Sequence, residues 1–200
     1  MSSIRLSILI ASVDSRLDER QRLLNVLNRQ KTDAVEIIVL SDSGEKNGGP
    51  NIGEKRQSLL EMASGDYVCF IDDDDLVSDD YVSKILAAAD GDPDCISIEQ
   101  LIFFKNGEIR HRKYTLECKE PYSSEGGFDM FFITHLTPVR REIALAGGFP
   151  PISREEDLEY SRRISGMLMT EGKTTGILYH HLLGFEPPTR VRRLPGKNQV

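Results

Sequence analysis

The residues best equipped for chemistry in this chain are four consecutive carboxylates, Asp72-Asp73-Asp74-Asp75. They follow Tyr67-Val68-Cys69-Phe70-Ile71, a run that reads as a buried strand, and no basic residue is interleaved. Repulsion among neighbouring carboxylates raises their pKa values and opposes folding, and a bound divalent cation reverses that logic. Oxygen-only clusters suit Mg²⁺ or Mn²⁺, ions that also bind phosphate oxygens. The bland alternative is a solvated acidic turn, with Ser78-Asp79-Asp80 as N-cap and acidic first turn of the next helix. Metal with phosphate is the stronger reading, because a strand end does not hold that much like charge without compensation.

The elements that must position these acids are legible upstream. Ile4 to Ala11 is an apolar, β-branched first strand, and Ser12-Val13-Asp14-Ser15 supplies turn residues. A helix is expected from about Arg16 to Gln30, with Leu17, Leu24 and Leu27 on one face. Val35 to Leu40 is a second buried strand that ends at Ser41-Asp42-Ser43-Gly44. Strand, helix, strand is a βαβ unit, hence a parallel pair with a right-handed crossover. Ligands of such sheets bind beyond the carboxyl ends of the strands. Ser12 to Arg16, Asp42 and Asp72 to Asp75 all fall at such ends and should gather on one edge. The polar loop from Gly44 to Gly53 opens a helix carrying Lys55 and Arg56, which is expected to end at Gly65. Backbone N–H groups at that helix start, with Lys55 or Arg56, could cradle phosphate, although no Walker A pattern is present.

Downstream the pattern changes. A helix is expected from about Ser78 to Ala89, then strand character at Cys95 to Ile98. Lys105-Asn106-Gly107-Glu108 is a hairpin turn between Ile102-Phe103-Phe104 and Ile109 to Tyr114, so the sheet should be mixed. Leu116 to Phe128 reads as loop. Thr134-His135-Leu136-Thr137-Pro138-Val139-Arg140-Arg141 leads into a short helix that ends at Gly147-Gly148. Ser153 to Glu159 starts another helix with acids in its first turn, either as helix-dipole complements or as a general base on a rigid helix start. Thr175 to Tyr179 reads as a last strand delivering His180 and His181, a pair suited to metal ligation or acid–base work.

Composition narrows the classes. At 200 residues with 39% hydrophobic and 28% charged content, the chain is one globular domain. No apolar run reaches the length of a bilayer span and no signal peptide is evident. Cys69, Cys95 and Cys118 are odd in number and lack a Cys-x-x-Cys spacing, which argues against a disulfide framework or zinc site and for a reducing, cytoplasmic setting. A net charge of −7 disfavours a polyanion partner. The expected organisation is a domain over 1–186 and a basic, flexible tail over 187–200 with Arg190, Arg192, Arg193 and Lys197.

Taken in order, Ser7-Ile8-Leu9-Ile10, Glu36-Ile37-Ile38-Val39-Leu40-Ser41-Asp42, Gly53-x-Lys55-Arg56, Gly65-Asp66-Tyr67-Val68-x-Phe70-Ile71-Asp72-Asp73-Asp74-Asp75 and Glu156-Asp157 resemble the GT-A fold glycosyltransferases of family 2 type. The resemblance runs from Ile4 to Leu183. It implies an α/β, Rossmann-like single domain with a central mixed, mostly parallel sheet flanked by helices. It also implies a nucleoside-diphosphate sugar donor, UDP-sugar favoured, and a Mn²⁺ or Mg²⁺ ion. By the same resemblance Ala11, Ser12, Val13, Arg16, Asp42, Lys55, Arg56, Asp72 and Asp73 are donor-binding positions. Asp74 is the direct metal ligand, with Asp72 nearer the ribose or metal waters, and His180 or His181 completes the metal shell. Asp157 is the expected base, preceded by Glu156. Gln57, where related sequences often carry Asn, and Ser41-Asp42-Ser43, in place of Asp-Asp-Gly-Ser, depart from the pattern and leave the donor open.

Rivals are weaker. An EF-hand loop starting at Asp72 would place Val77 at its glycine position and Ser83 at its glutamate position. A nucleotidyltransferase would share the βαβ start and the acids, but this chain has no Gly-rich phosphate loop just after the first strand. A non-catalytic nucleotide-sugar binding domain is separated by donor turnover. The acceptor is expected to be a cell-surface or virion glycan. A hydroxymethylated base in DNA, suggested by size and the basic tail, is disfavoured by the negative charge.

Overall fold

A computed structural model describes residues 4–120, 122–123 and 128–184 of the chain. The basic tail expected at 187–200 lies outside the described residues. The strands are β1 (Leu6–Val13), β2 (Val35–Asp42), β3 (Tyr67–Phe70), β4 (Leu76–Val77), β5 (Cys95–Phe104), β6 (Ile109–Tyr114), β7 (Tyr122–Ser123), β8 (Phe128–Phe131), β9 (Val139–Arg140) and β10 (Glu171–Leu183). The helices are α1 (Leu17–Gln30), α2 (Ile52–Met62), α3 (Tyr81–Ala88), α4 (Arg141–Gly147) and α5 (Glu156–Ser165), with short 3₁₀ turns at Asp14–Arg16 and Glu45–Asn47.

The strands form one sheet in the order β2-β1-β3-β9-β5-β6-β8-β7, with β10 pairing β5 and β4. β1 pairs in parallel with both β2 and β3, as an apolar strand buried on both faces should. β9 inserts antiparallel between β3 and β5, and the β5–β6 hairpin is antiparallel, so the sheet is mixed. Because side chains alternate across a strand, β1 divides the core in two. Leu6, Ile8 and Ile10 pack with Leu23, Leu27, Tyr81 and Ile85 of α1 and α3. Leu9, Val68 and Phe70 pack on the opposite face with Leu59, Leu60, Ala144, Tyr160 and Ile164 of α2, α4 and α5.

Three local arrangements aim the site. Asn51 and Glu54 close a capping box, each accepting the other's backbone N–H at 2.9 Å, which starts α2 at Ile52. Gly53 then lets the helix start approach 150–152 so closely that a Cβ would lie 1.9 Å from the Pro150 carbonyl oxygen. Gln57 accepts from the Phe149 N–H at 2.9 Å, which gives this departure from the family pattern a role in seating the same segment. Before α5, Glu155 adopts a left-handed conformation at φ 60°, uncommon for a residue with a Cβ, and turns the chain so that Glu156 points inward.

Two expected boundaries move. α3 begins at Tyr81 rather than Ser78, because β10 captures the preceding residues: Leu76 and Val77 pair with it, and the Ser78 N–H donates to Leu178 O at 3.0 Å. Ser78 bonds the Asp80 carboxylate instead of capping the helix. β10 runs from Glu171 to Leu183, well beyond Thr175–Tyr179, because β5 offers a parallel partner along most of its length, with irregularities between Lys173 and Tyr179.

Candidate active site

β3 ends at Phe70, and the four acids form a tight turn in which the Asp75 N–H donates to Asp72 O at 3.1 Å. The turn sends alternate carboxylates to different surroundings. Asp73 is buried and accepts from Ser12 Oγ and from Arg16, both at 2.7 Å. Asp75 is buried and accepts from the Tyr179 hydroxyl, His181 Nδ1 and the Leu182 N–H, each at 2.8 Å. These two acids are structural anchors whose lone pairs are largely used. Asp72 is bound at 2.9 Å by Arg56, and Asp74 by Arg16 alone at 3.2 Å.

The electrostatics separate the last two. Burial would raise the Asp72 carboxyl, but Arg56, then His135 and His181, outweigh it and hold it below the ordinary carboxylate range. Desolvation and the charges of Asp75, Asp72 and Asp73 push Asp74 above its ordinary value despite Arg16. Asp74 is therefore the acid with uncompensated charge, and its side chain is 45% exposed.

Six of the nine expected donor positions converge beside this turn, and Asp42, Arg56 and Asp72 are not among the residues lining the cavity they form. Ala11, Ser12, Val13, Arg16, Lys55 and Asp73 line a cavity of about 260 Å³ together with Gly44, Glu45, Pro50, Ile52 and Ser153. Lys55 is buried, donating to Ser12 O at 2.6 Å and pairing with Asp42 at 2.9 Å, so it ties the ends of β1 and β2 together. Asp42 also accepts the Gly44 N–H at 2.7 Å, which shapes the loop at the cavity rim. Arg20, which the sequence reading did not single out, donates to Ser12 Oγ at 2.9 Å and Ser41 Oγ at 2.7 Å and braces the same two strand ends.

Across the turn stands α5. Arg56, itself buried, bridges Asp72 and Glu156, so Glu156 is committed to an ion pair inside the protein. Burial raises the Glu156 carboxyl more than Arg56 lowers it. Asp157, next along α5, is 44% exposed and its Oδ2 accepts no hydrogen bond from the described residues, while Oδ1 accepts the Leu158 N–H at 2.8 Å. Of the expected pair only Asp157 is available as a base. Between Asp157 and Asp72 lies a single imidazole, that of His135, which the sequence reading left without a role. It arrives because the Phe70 N–H donates to His135 O at 2.9 Å, a non-local bond that no spacing in the sequence announces.

The two C-terminal histidines part company. His181 faces Asp75, which raises its pKa against the effect of burial. His180 projects from the opposite face of β10, its ring edge-on to Phe103 with centroids 6.0 Å apart. Adjacent strand residues cannot share a face, so His180 does not join the acidic turn. A larger cavity of about 580 Å³ beside α5, lined by Leu116, Phe131, Phe132, Leu158 and Arg162 among others, contains none of these acids.

Asp74, whose charge Arg16 offsets incompletely, and Asp72 are carboxylate oxygen donors in the same turn as Asp73, which lines the cavity, and that chemistry fits a hard divalent cation. Among the described residues no three His, Cys, Asp or Glu side chains already surround a common point. The donors thus match an ion held by one or two carboxylates, with waters and a phosphate-bearing ligand supplying the rest.

Comparison with known proteins decides the family. The family model described as "Glycosyl transferase family 2" matches residues 45–147, from the loop before α2 to the end of α4. The chain belongs to glycosyl transferase family 2. Its fold is that of the GT-A domain in Staphylococcus aureus TarS: one TarS structure superposes with TM-score 0.63 at 15% identity, over 90% of this chain and 37% of that one. A structure of TarS 1–349 gives 0.62 at 18%, over 90% and 60%. TarS 1–349 in complex with UDP-GlcNAc gives 0.63 at 15%, over 90% and 58%. The chain thus spans less than two thirds of the length of these structures. No curated protein matches it. No described helix is long and apolar enough to cross a membrane.

Proposed function

We propose that this family 2 domain is a metal-dependent, inverting glycosyltransferase that transfers a sugar from a UDP-sugar to a hydroxyl of a glycan. The observation that carries the reading is the convergence of Ala11, Ser12, Val13, Arg16, Lys55 and Asp73 on one cavity beside Asp72 and Asp74, with Asp157 one imidazole away. The nucleoside would occupy the cavity between the ends of β1 and β2. Asp74 and Asp72 would hold Mn²⁺ or Mg²⁺, which when bound neutralises the diphosphate and makes the nucleotide a better leaving group. UDP as the nucleotude class draws support from the fold shared with TarS, which has been crystallised with UDP-GlcNAc.

The chain's own residues supply the rest. Asp157 accepts the proton of the acceptor hydroxyl as that oxygen forms its bond to the anomeric carbon. The bond from that carbon to the diphosphate oxygen breaks on the opposite face, and its electron pair leaves with UDP. One displacement by one base inverts the anomeric centre. Glu156 and Arg56 keep the start of α5 fixed against α2 and the acidic turn, so the base is held on a rigid element. Asp157→Asn preserves shape and removes the base. Transfer should fall by about two to four orders of magnitude while UDP affinity stays unchanged. Undiminished transfer by the variant would remove Asp157 from the role.

A further inference from the structure

His135 is the unexplained group at the centre of the site. It is buried, yet among the described residues neither ring nitrogen has a hydrogen-bond partner. Its Nδ1 stands 3.8 Å from Asp157 Oδ2 and its Nε2 stands 4.0 Å from Asp72 Oδ1. Buried polar atoms are nearly always paired, and catalytic hydrogen bonds are often long in a ligand-free protein and tighten when substrates bind. Arg56 and His135 both face Asp72, and they lead from it to Glu156 and Asp157, the first two residues of α5.

We propose that His135 is a positioning residue for the base: its Nδ1–H is aimed at Asp157 Oδ2 and fixes the direction in which that carboxylate meets the acceptor hydroxyl. Two observations assign the proton to Nδ1. Asp72 already has Arg56 at 2.9 Å, whereas among the described residues Asp157 Oδ2 has no other donor. Arg56 binds the same Asp72 Oδ1 that Nε2 faces, so a lone pair on Nε2 has a cation beside it as well as Asp72. The ring contributes no reacting atom. It converts a carboxylate with freedom to rotate into one held by Leu158 N–H on one oxygen and His135 on the other.

This inference rests on the glycosyltransfer reading above, and its test has two arms that separate the two. In the first, long-range ¹H–¹⁵N correlation spectra of the labelled chain read the tautomer, with the His135 signals identified by their loss in His135→Asn. A neutral ring protonated at Nδ1, whose proton resonance moves in Asp157→Asn, is expected; a ring protonated at Nε2, or one that ignores Asp157→Asn, would overturn the proposal. In the second, UDP release from UDP-GlcNAc, UDP-glucose and UDP-galactose is measured alongside UDP affinity. Asparagine places an amide nitrogen near Nδ1 and glutamine near Nε2. His135→Asn should keep kcat within about tenfold, while His135→Gln and His135→Phe lose on the order of a hundredfold, the effect of a misplaced group, at unchanged UDP affinity. Equal losses in His135→Asn and His135→Phe, or losses carried by UDP affinity alone, would overturn it. An Nδ1–H tautomer coupled to Asp157 in a chain that turns over none of the three donors would uphold the positioning contact and refute the choice of donor.

Discussion

Replacing Arg56 with methionine removes the guanidinium that lies between Asp72 and Glu156, two carboxylates of which the second is buried with it. Removing one partner of a buried ion pair costs about 3–5 kcal/mol, because the remaining charge stays desolvated and unpaired. Asp72 is 35% exposed and can turn toward water, so the lower end applies here, about 3 kcal/mol. For a domain of this size that corresponds to a fall in Tm of about 6–12 °C. The cost has a pH signature. In the native protein the depressed Asp72 carboxyl contributes stability that is present above its unfolded pKa and lost as pH falls through the folded value. Glu156, raised by burial, acts in the opposite sense and destabilises as pH rises through its folded pKa. Losing Arg56 removes the first contribution and enlarges the second, so the penalty is largest at neutral pH and shrinks as both acids protonate. Urea unfolding at several pH values measures this, with the double variant Arg56→Met/Glu156→Gln as control. The double variant should recover part of the loss, since replacing both members of a buried pair is often close to neutral. A penalty below about 1 kcal/mol, a penalty independent of pH, or a double variant no more stable than the single one would refute the reasoning.

Other perturbations isolate single contacts. Gly53→Ala drives a Cβ into the Pro150 carbonyl and the Ile152 backbone, so urea unfolding should show a loss of about 1–3 kcal/mol, as overpacking gives, and a wild-type midpoint would contradict the close approach. Tyr179→Phe deletes the hydroxyl that accepts the Asp72 N–H at 3.1 Å and donates to Asp75. Thermal or urea unfolding should lose about 1–3 kcal/mol while UDP affinity is retained, because the removed atom is buried away from the cavity.

How much of this could be read beforehand depended on whether the signal was local. β1, β2 and β3 are apolar runs ended by polar turns, and a βαβ order forces their carboxyl ends together, so Ser12, Asp42 and the acidic turn were expected on one edge. The hairpin at Asn106-Gly107 was equally local. β9 was invisible because two residues gain strand character only from the neighbours on both sides. The start of α3 was misjudged because Ser78 is claimed by a backbone bond from a residue one hundred positions later. Which acids are anchors and which are free was equally illegible: Asp73 and Asp75 are committed by Ser12, Arg16, Tyr179 and His181, all distant in sequence. His135 carried no periodicity or spacing of its own, and its position follows only from the backbone bond to β3.

The central claim is that the cavity at the strand ends holds a uridine nucleotide and that Asp74 makes that binding metal-dependent. Calorimetric titration of UDP into the chain, with Mn²⁺ and then with a chelator, for wild type and Asp74→Asn, tests it most directly. The account predicts that wild type binds UDP at least about tenfold more tightly with Mn²⁺ than with chelator, and that Asp74→Asn loses this difference. UDP affinity that is the same with Mn²⁺ as with chelator, or no UDP binding by a folded sample, would contradict it.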